Sequence, residues 1–416
     1  MGTRRGRAEV RIAVFHNHPS GGASRSLYEL GRRLAARHSL DVYTLSTADE
    51  CFLASREYAC AVHIAPFWPA RPRRLGFYLN DWQQYRDLQR LDGVSRQLAR
   101  RIDAAGYDVV LASACRFMQS PALLAHLTTP SVYYCHEPPR RLVQVECRPD
   151  AGPLGPYQRL RAAWHRPAQA LVAAALRRYD HRNVRAATIV LTNSRFTARL
   201  IQSHYGREPS VCYLGVDGRR FLPGRRHGAG YVLSVGALEH HKGFDFLIRA
   251  LGRLPESHRP PLVIVANYAN PGVHAYLLRL AIRQGVTLMV RIGIDDAALL
   301  EAYQGASIFA YAPHGEPFGL AVLEAMACAL PVVAVAQGGV MESVQDGATG
   351  YLVPRNEALL AEAISRLLGD EATARRLGQA GREVVQQRWT WEAAAERLER
   401  HLRQAACPGG RTVARG

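Results

Sequence analysis

Apolar residues in this chain come in short runs, each closed by a polar or glycine-bearing turn and followed by a stretch with helical spacing. The runs predict strands at 11–16, 41–45, 62–65, 108–113, 132–135 and 188–192, then again at 232–236, 262–266, 287–292, 307–311 and 332–335. Between them, residues such as Leu27, Leu30 and Leu34 recur on one helical face. Short buried strands alternating with helices predict an α/β chain with mostly parallel sheets. Ligands in such sheets bind beyond the C-terminal ends of the strands, where the connecting loops gather.

The stretch Pro313 to Ala327 carries the densest candidate chemistry. It reads as a strand end, a sharp turn and a helix. Pro317 suits the first helical position, where a missing N–H costs nothing. Glu316 before it is pushed into extended geometry on the turn, facing out. Leu320, Leu323 and Ala327 have helical spacing and face a core. Glu324 follows Glu316 by eight residues, about two turns or ~12 Å along a helix axis. Two carboxylates then flank a helix N-terminus whose free N–H groups and dipole suit a phosphate. A second glycine turn, Gln337-Gly338-Gly339, follows the next strand, and Asp346 to Val353 adds a turn and a strand.

Residues 313–353 resemble the donor-site signature of retaining glycosyltransferases of the large "glycosyl transferases group 1" family, which includes sucrose synthases and bacterial mannosyl- and glucosyltransferases. The resemblance extends over nearly the whole chain. It implies the GT-B architecture: two Rossmann-like doubly wound domains facing an interdomain cleft. The expected division is 1–217 for the acceptor-side domain, 218–230 for the linker and 231–388 for the nucleotide-sugar domain. A C-terminal helix at 389–405 crosses back, and 406–416 is a tail.

The resemblance also assigns roles. Glu324 holds the ribose hydroxyls of the donor. Glu316, with the backbone N–H groups of Phe318, Gly319 and Leu320, holds the sugar. The turn at Gly293 and Ile294 meets the nucleotide base, largely through backbone. His136, at a strand end in the run His136-Glu137-Pro138-Pro139-Arg140, lies near the transferred sugar. The Gly21-Gly22 loop, whose backbone can approach an anion closely, or the segment beginning at Ser194, faces the diphosphate together with Lys242. Asn193 to Thr197 and Val211 to Asp217 also match the family.

Lys242 is the only lysine in 416 residues, against a background of arginine. A compact ammonium fits a diphosphate where a wide guanidinium fork does not. The family usually has an arginine where this chain has Ala237. Arg291, Arg140 and the Gly21-Gly22 loop are the candidates to compensate.

Composition narrows the remaining possibilities. The chain is long enough for two cores, and 48% hydrophobic residues would fill them. Eight scattered cysteines without metal or C-x-x-C spacing suit reduced thiols and a cytoplasmic protein. No apolar run reaches a membrane span, and no secretory leader is expected from the first residues. The net charge of +18 and pI near 10 favour an anionic membrane face or anionic substrates. Nucleic acid is not expected, because no basic helix interleaved with aromatics occurs. No D-x-D motif occurs and basic groups can replace a metal, so no metal and no cofactor are expected. The donor is a nucleotide sugar, and the acceptor a sugar or a lipid-linked hydroxyl. A nucleotide-sugar epimerase, or a non-catalytic nucleotide-sugar-binding protein of this fold, is the alternative.

Overall fold

A computed structural model describes residues 9–51, 53–70, 77–139, 156–224 and 230–407. It contains two parallel sheets. The first has seven strands: β1 (Arg11–Asn17), β2 (Ser39–Leu45), β3 (Ala61–Ala65), β4 (Val109–Cys115), β5 (Ser131–Cys135), β6 (Ile189–Thr192) and β7 (Ser210–Val211). Their order across the sheet is β3-β2-β1-β4-β5-β6-β7. The second has six: β8 (Val232–Val235), β9 (Leu262–Ala266), β10 (Leu288–Ile292), β11 (Ile308–Tyr311), β12 (Val332–Val335) and β13 (Gly350–Val353). Their order is β10-β9-β8-β11-β12-β13. In both sheets all pairings are parallel, and the order in which strands are added reverses between the first and fourth strands. That reversal splays the connections to opposite faces and opens a crevice, so the loops after β1 and β4 face one crevice and those after β8 and β11 the other. The fold is two Rossmann-like α/β lobes.

The central strands are buried on both faces, as parallel strands covered by helices must be. Ile12, Val232, Val332 and Val333 are completely buried. One apolar cluster runs through both lobes, joining Leu27 and Leu214 of the first to Phe318 and Tyr303 of the second. The last helix, Trp391–Ala406, packs on the first lobe. Glu399 pairs with Arg37 at 2.9 Å, and Arg397 donates to the Tyr213 carbonyl at 3.3 Å.

Two readings of local structure change. The apolar stretch Val211 to Asp217 reads in sequence as a strand, but only Val211, the end of the two-residue β7, belongs to one. Beyond it, Val216 pairs with Thr390, and a Cβ on Gly215 would lie 2.4 Å from the Thr390 backbone. The chain leaves its sheet to pair with the returning C-terminal segment. The second change is at Pro317, which is not the first helical residue. The helix is Leu320–Ala327 with Gly319 as its cap. Pro317 belongs to the turn, so only Glu324 of the two carboxylates is helical and the two-turn spacing does not apply.

Candidate functional site

The loops after β8 and β11, at the crevice of the second sheet, hold the centre of the site. The β8 loop makes one 3-10 turn, His240–Lys242, and ends at Gly243. Gly243 has φ +68°, and a Cβ there would sit 2.0 Å from the Ala312 carbonyl oxygen. Only glycine lets this turn lie against the end of β11. The His314 N–H donates to the His241 carbonyl at 2.7 Å, and Arg355 donates to the Ala312 carbonyl at 2.8 Å. So fastened, the two loops bring the Lys242 ammonium 2.8 Å from a Glu316 carboxylate oxygen. Glu316 is only 8% exposed. It turns inward to its counter-charge rather than out to solvent, because an ion pair offsets the cost of burying it.

Glu324 lies on the next helix and is buried. The Tyr303 hydroxyl donates to it at 2.8 Å. Burial raises its pKa, and the guanidinium of Arg25, from the first lobe, pulls in the opposite direction. Arg25, Leu320 and Glu324 line a small gap between the lobes. Gly22 and Leu320 face each other there: a Cβ on Gly22 would meet the Leu320 side chain at 3.5 Å. Leu320 is thus half-buried, packed against the core where the core meets the cleft. Gly21 faces Asn267, whose amide donates to the Ser20 carbonyl at 3.5 Å. Phe318 is buried in the seam between the lobes. Gly293 and Ile294 follow β10, and two residues on, Asp296 accepts from Arg25 at 2.7 Å. Burial alone would raise the Asp296 pKa, but Arg25 and Arg220 together hold it low. Arg25, Arg220, Asp296 and Tyr303 therefore belong to the neighbourhood of Glu324, although no sequence motif distinguishes them.

The two first-lobe helix N-termini considered for phosphate differ. At helix Arg195–Tyr205 the first N–H groups are occupied. Arg195 and Phe196 donate to Glu342 at 3.0 and 2.9 Å, and Thr197 to the Ser194 hydroxyl at 3.0 Å. A phosphate has no opening there. Helix Gly22–Ala35 has no side-chain cap at Gly21. Of the other basic candidates, Arg291 is exposed on edge strand β10, and Arg140 lies outside the described residues.

His136 directly follows β5 and stands in a row of imidazoles. Its ring is 6.1 Å from that of His18, which is 5.3 Å from that of His16. His18 shares a hydrogen bond with Ser113 at 3.0 Å, and His16 lies 3.1 Å from Glu50. Burial lowers the His136 pKa to about 4. Burial also lowers His18, with repulsion from His16 and His136 adding to it. The His136 and His18 rings are therefore neutral at pH 7 and act as hydrogen-bonding groups. A stability consequence follows, because the unfolded chain protonates His136 near pH 6.5 and the folded one does not until about pH 4. Stability is then full above pH 6.5 and falls as pH drops toward 4, by on the order of 3 kcal/mol from this residue. Melting temperature against pH should fall over this window, and less steeply in His136→Asn.

Among the described residues, no cluster of His, Cys, Asp and Glu could hold a metal ion, and no helix is long and apolar enough to cross a membrane. In the first lobe, beyond the ends of β3 and β4, Phe67 and Phe117 meet edge to face at 5.4 Å. They line a cavity of about 290 Å³ with Gln83, Asp87 and Leu91 of helix Phe77–Ala104.

Comparison with known proteins bears on the fold and the family. Residues 20–220 match Glycosyltransferase Family 4, and residues 219–384 match Glycosyl transferases group 1. A D-inositol 3-phosphate glycosyltransferase of Kribbella flavida is 32% identical over 247 residues, covering 51% of this chain and 55% of the relative. An alpha-maltose-1-phosphate synthase of Mycobacterium tuberculosis is 30% identical over 240 residues, covering 51% and 61%. The chain thus spans little more than half the length of these curated relatives. Among solved structures, sucrose-phosphate synthase from Thermosynechococcus elongatus superposes with a TM-score of 0.71 at 20% identity, covering 95% of this chain and 99% of that one. Anabaena HepE, in complex with UDP and glucose, gives 0.69 at 19%, covering 95% and 100%. The paired lobes have the fold of these GT-B glycosyltransferases. The two family matches adjoin from residue 20 to residue 384, so each lobe carries a glycosyltransferase family match: Glycosyltransferase Family 4 on the first and Glycosyl transferases group 1 on the second.

Proposed function

We propose that this protein transfers a sugar from a nucleotide diphosphate sugar to a hydroxyl acceptor, with retained anomeric configuration and without a metal. The observation that carries this is the Lys242–Glu316 pair, built from the two loops at the crevice of the second sheet, with Glu324 on the adjoining helix. In this reading Glu324 takes the ribose. The diphosphate lies between Lys242 and the uncapped N-terminus at Gly21 and Gly22. Glu316 and the N–H groups of Phe318, Gly319 and Leu320 hold the sugar. Gly293 and Ile294 meet the base. Lys242 then exchanges part of its contact with Glu316 for the phosphate, which frees a carboxylate oxygen for sugar hydroxyls.

Transfer breaks the bond from the anomeric carbon to the phosphate oxygen, and the electron pair leaves with the nucleoside diphosphate. A bond forms from that carbon to the acceptor oxygen, whose proton passes to the departing phosphate. The ammonium and the helix N-terminus oppose the developing charge without reorganising, which is the main source of rate in such a site. Neutral His136 is suited to accept from, or donate to, a sugar hydroxyl at this stage.

The structural neighbour HepE, solved with UDP and with UDP-glucose, supports a nucleotide sugar as donor. The names of the curated relatives make a phosphorylated polyol or sugar the first acceptor to test, and an excess of arginine suits such a substrate. The same excess supports a working place beside anionic lipid at the inner face of a membrane, as in cell-envelope polysaccharide synthesis. A panel of nucleotide sugars, ranked by the rise in melting temperature, selects the donor. Proton NMR of the product then reads its anomer. A donor-derived axial linkage arising from an axial donor supports the proposal, and inversion refutes retention. Turnover of the sugar nucleotide without any acceptor would favour an epimerase instead. Dialysis against EDTA should leave the rate within about twofold; loss of activity restored by Mg²⁺ would contradict metal independence.

A further inference from the structure

The segment Asn193-Ser194-Arg195-Phe196-Thr197 touches both halves of the site. On the first-lobe side, the Asn193 amide donates to the His136 carbonyl at 3.1 Å. On the second-lobe side, the Ser194 and Thr197 hydroxyls donate to the Pro317 carbonyl at 2.5 and 3.3 Å. Pro317 is the residue after Glu316. Ser194 and Thr197 are completely buried, so these hydrogen bonds are shielded from water.

Glu342 closes the arrangement. One of its oxygens accepts from the Arg195 N–H at 3.0 Å and from the Tyr213 hydroxyl at 2.7 Å, and the other from the Phe196 N–H at 2.9 Å. A second-lobe carboxylate thereby caps a first-lobe helix, at the end where a negative charge is favoured. Burial and this carboxylate push the Tyr213 hydroxyl up to about 12, so it stays a donor. The chain leading to Glu342 lies directly on the Glu316 turn. The Gly339 N–H donates to the Glu316 carbonyl at 2.8 Å. A Cβ on Gly338 would be 2.4 Å from the Glu316 carbonyl oxygen, and one on Gly339 would be 2.2 Å from that of Pro317. Gly338 and Gly339 are thus held against the Glu316–Pro317 turn, with Glu342 three residues beyond Gly339.

We propose that Glu342 is a positioning residue: it clamps the Asn193–Thr197 segment onto the Glu316–Pro317 turn, and so fixes the distance from His136 on the acceptor side to Glu316 on the donor side. This rests on the functional reading above, in which those two residues serve the two substrates. Attack by a hydroxyl needs the reacting atoms about 3–3.5 Å apart, and an error of about 1 Å costs on the order of 10²-fold in rate. A clamp spanning both lobes supplies that register, whereas either lobe alone cannot.

Glu342→Gln is the test. It keeps shape but puts an N–H against a backbone N–H or the Tyr213 hydroxyl. The rate of transfer at saturating donor should fall about 10²-fold while donor KM changes less than about threefold, and donor hydrolysis should rise relative to transfer. Tyr213→Phe, which removes one of three hydrogen bonds, should give the same pattern at about tenfold, and serves if the glutamine variant folds poorly. Hydrogen exchange of the unliganded protein reads the clamp without any turnover. Amides of 314–318 and 195–197 should exchange at least tenfold faster in Glu342→Gln. Unchanged exchange at 314–318, or a raised donor KM with unchanged turnover, overturns the proposal. A wild-type protein that binds no nucleotide sugar, yet shows this exchange change, would sink the functional reading and leave the clamp standing.

Discussion

Lys242→Met should reduce sugar transfer by about 10²–10³-fold, the loss expected when one preorganised stabiliser of transition-state charge is removed. Methionine keeps an unbranched side chain against Gly236, which the Lys242 stem already touches. Lys242→Arg should not restore the rate, because the wide guanidinium replaces a compact ammonium in a turn fixed against Ala312. The ion pair itself complicates a single substitution. Removing the ammonium leaves the Glu316 carboxylate, 11% exposed at its side chain, without that counter-charge. A fall of a few degrees in melting temperature should follow. The double variant Lys242→Met/Glu316→Gln separates the two effects. It should recover most of the lost melting temperature, since no charge is left unpaired, and none of the activity. Recovery of turnover in the double variant would reduce Lys242 to a structural counter-ion.

Glu324→Gln should raise donor KM by about 10- to 10²-fold, with a smaller change in turnover at saturating donor. A hydrogen bond to a charged acceptor contributes about 1.5–3 kcal/mol, and a glutamine amide accepts more weakly and on one atom only. The increase should be similar for donors with different bases, because the ribose is common to them. Stability should behave in the opposite sense to binding. Burial raises the Glu324 pKa, so the ionised carboxylate is disfavoured in the folded protein, an effect present above its folded pKa and absent below the unfolded value. Glutamine removes that penalty, so the melting temperature should hold or rise. Parallel measurement of donor KM and melting temperature checks both halves. A lowered melting temperature with unchanged KM would place Glu324 among purely structural residues.

The legible parts of this protein were those that follow from local rules. Valine-rich runs such as Val332 to Val335 declare a buried parallel strand, and glycine after a strand marks the turn of a doubly wound unit. One lysine in an arginine-rich chain and a carboxylate on the turn after a buried strand pointed to a pair that the fold does bring together, Lys242 with Glu316, although the helical spacing expected between Glu316 and Glu324 did not hold. What escaped is set by distance in sequence. Arg25 and Asp296 are 271 residues apart, and their pairing at 2.7 Å exists only once the lobes meet. Glu342 resembles any helical surface glutamate until the first-lobe helix is laid against it. The same contact explains why Ser194 was a tempting phosphate site: its helix has the right end, but a carboxylate from the other lobe already occupies it. Pro317 misled for a related reason. Its preference for a first helical turn yielded to a longer loop, because its carbonyl is held by Ser194 and Thr197.

The claim on which the rest depends is that the cleft receives a nucleoside diphosphate between Lys242, Glu324 and the Gly21-Gly22 turn. A crystal structure of the protein with whichever nucleoside diphosphate most raises its melting temperature tests this directly. The account predicts the terminal phosphate within hydrogen-bonding reach of the Lys242 ammonium and the Gly21-Gly22 backbone, and both ribose hydroxyls on Glu324. A nucleotide bound with its phosphates away from Lys242, or its ribose away from Glu324, would contradict it.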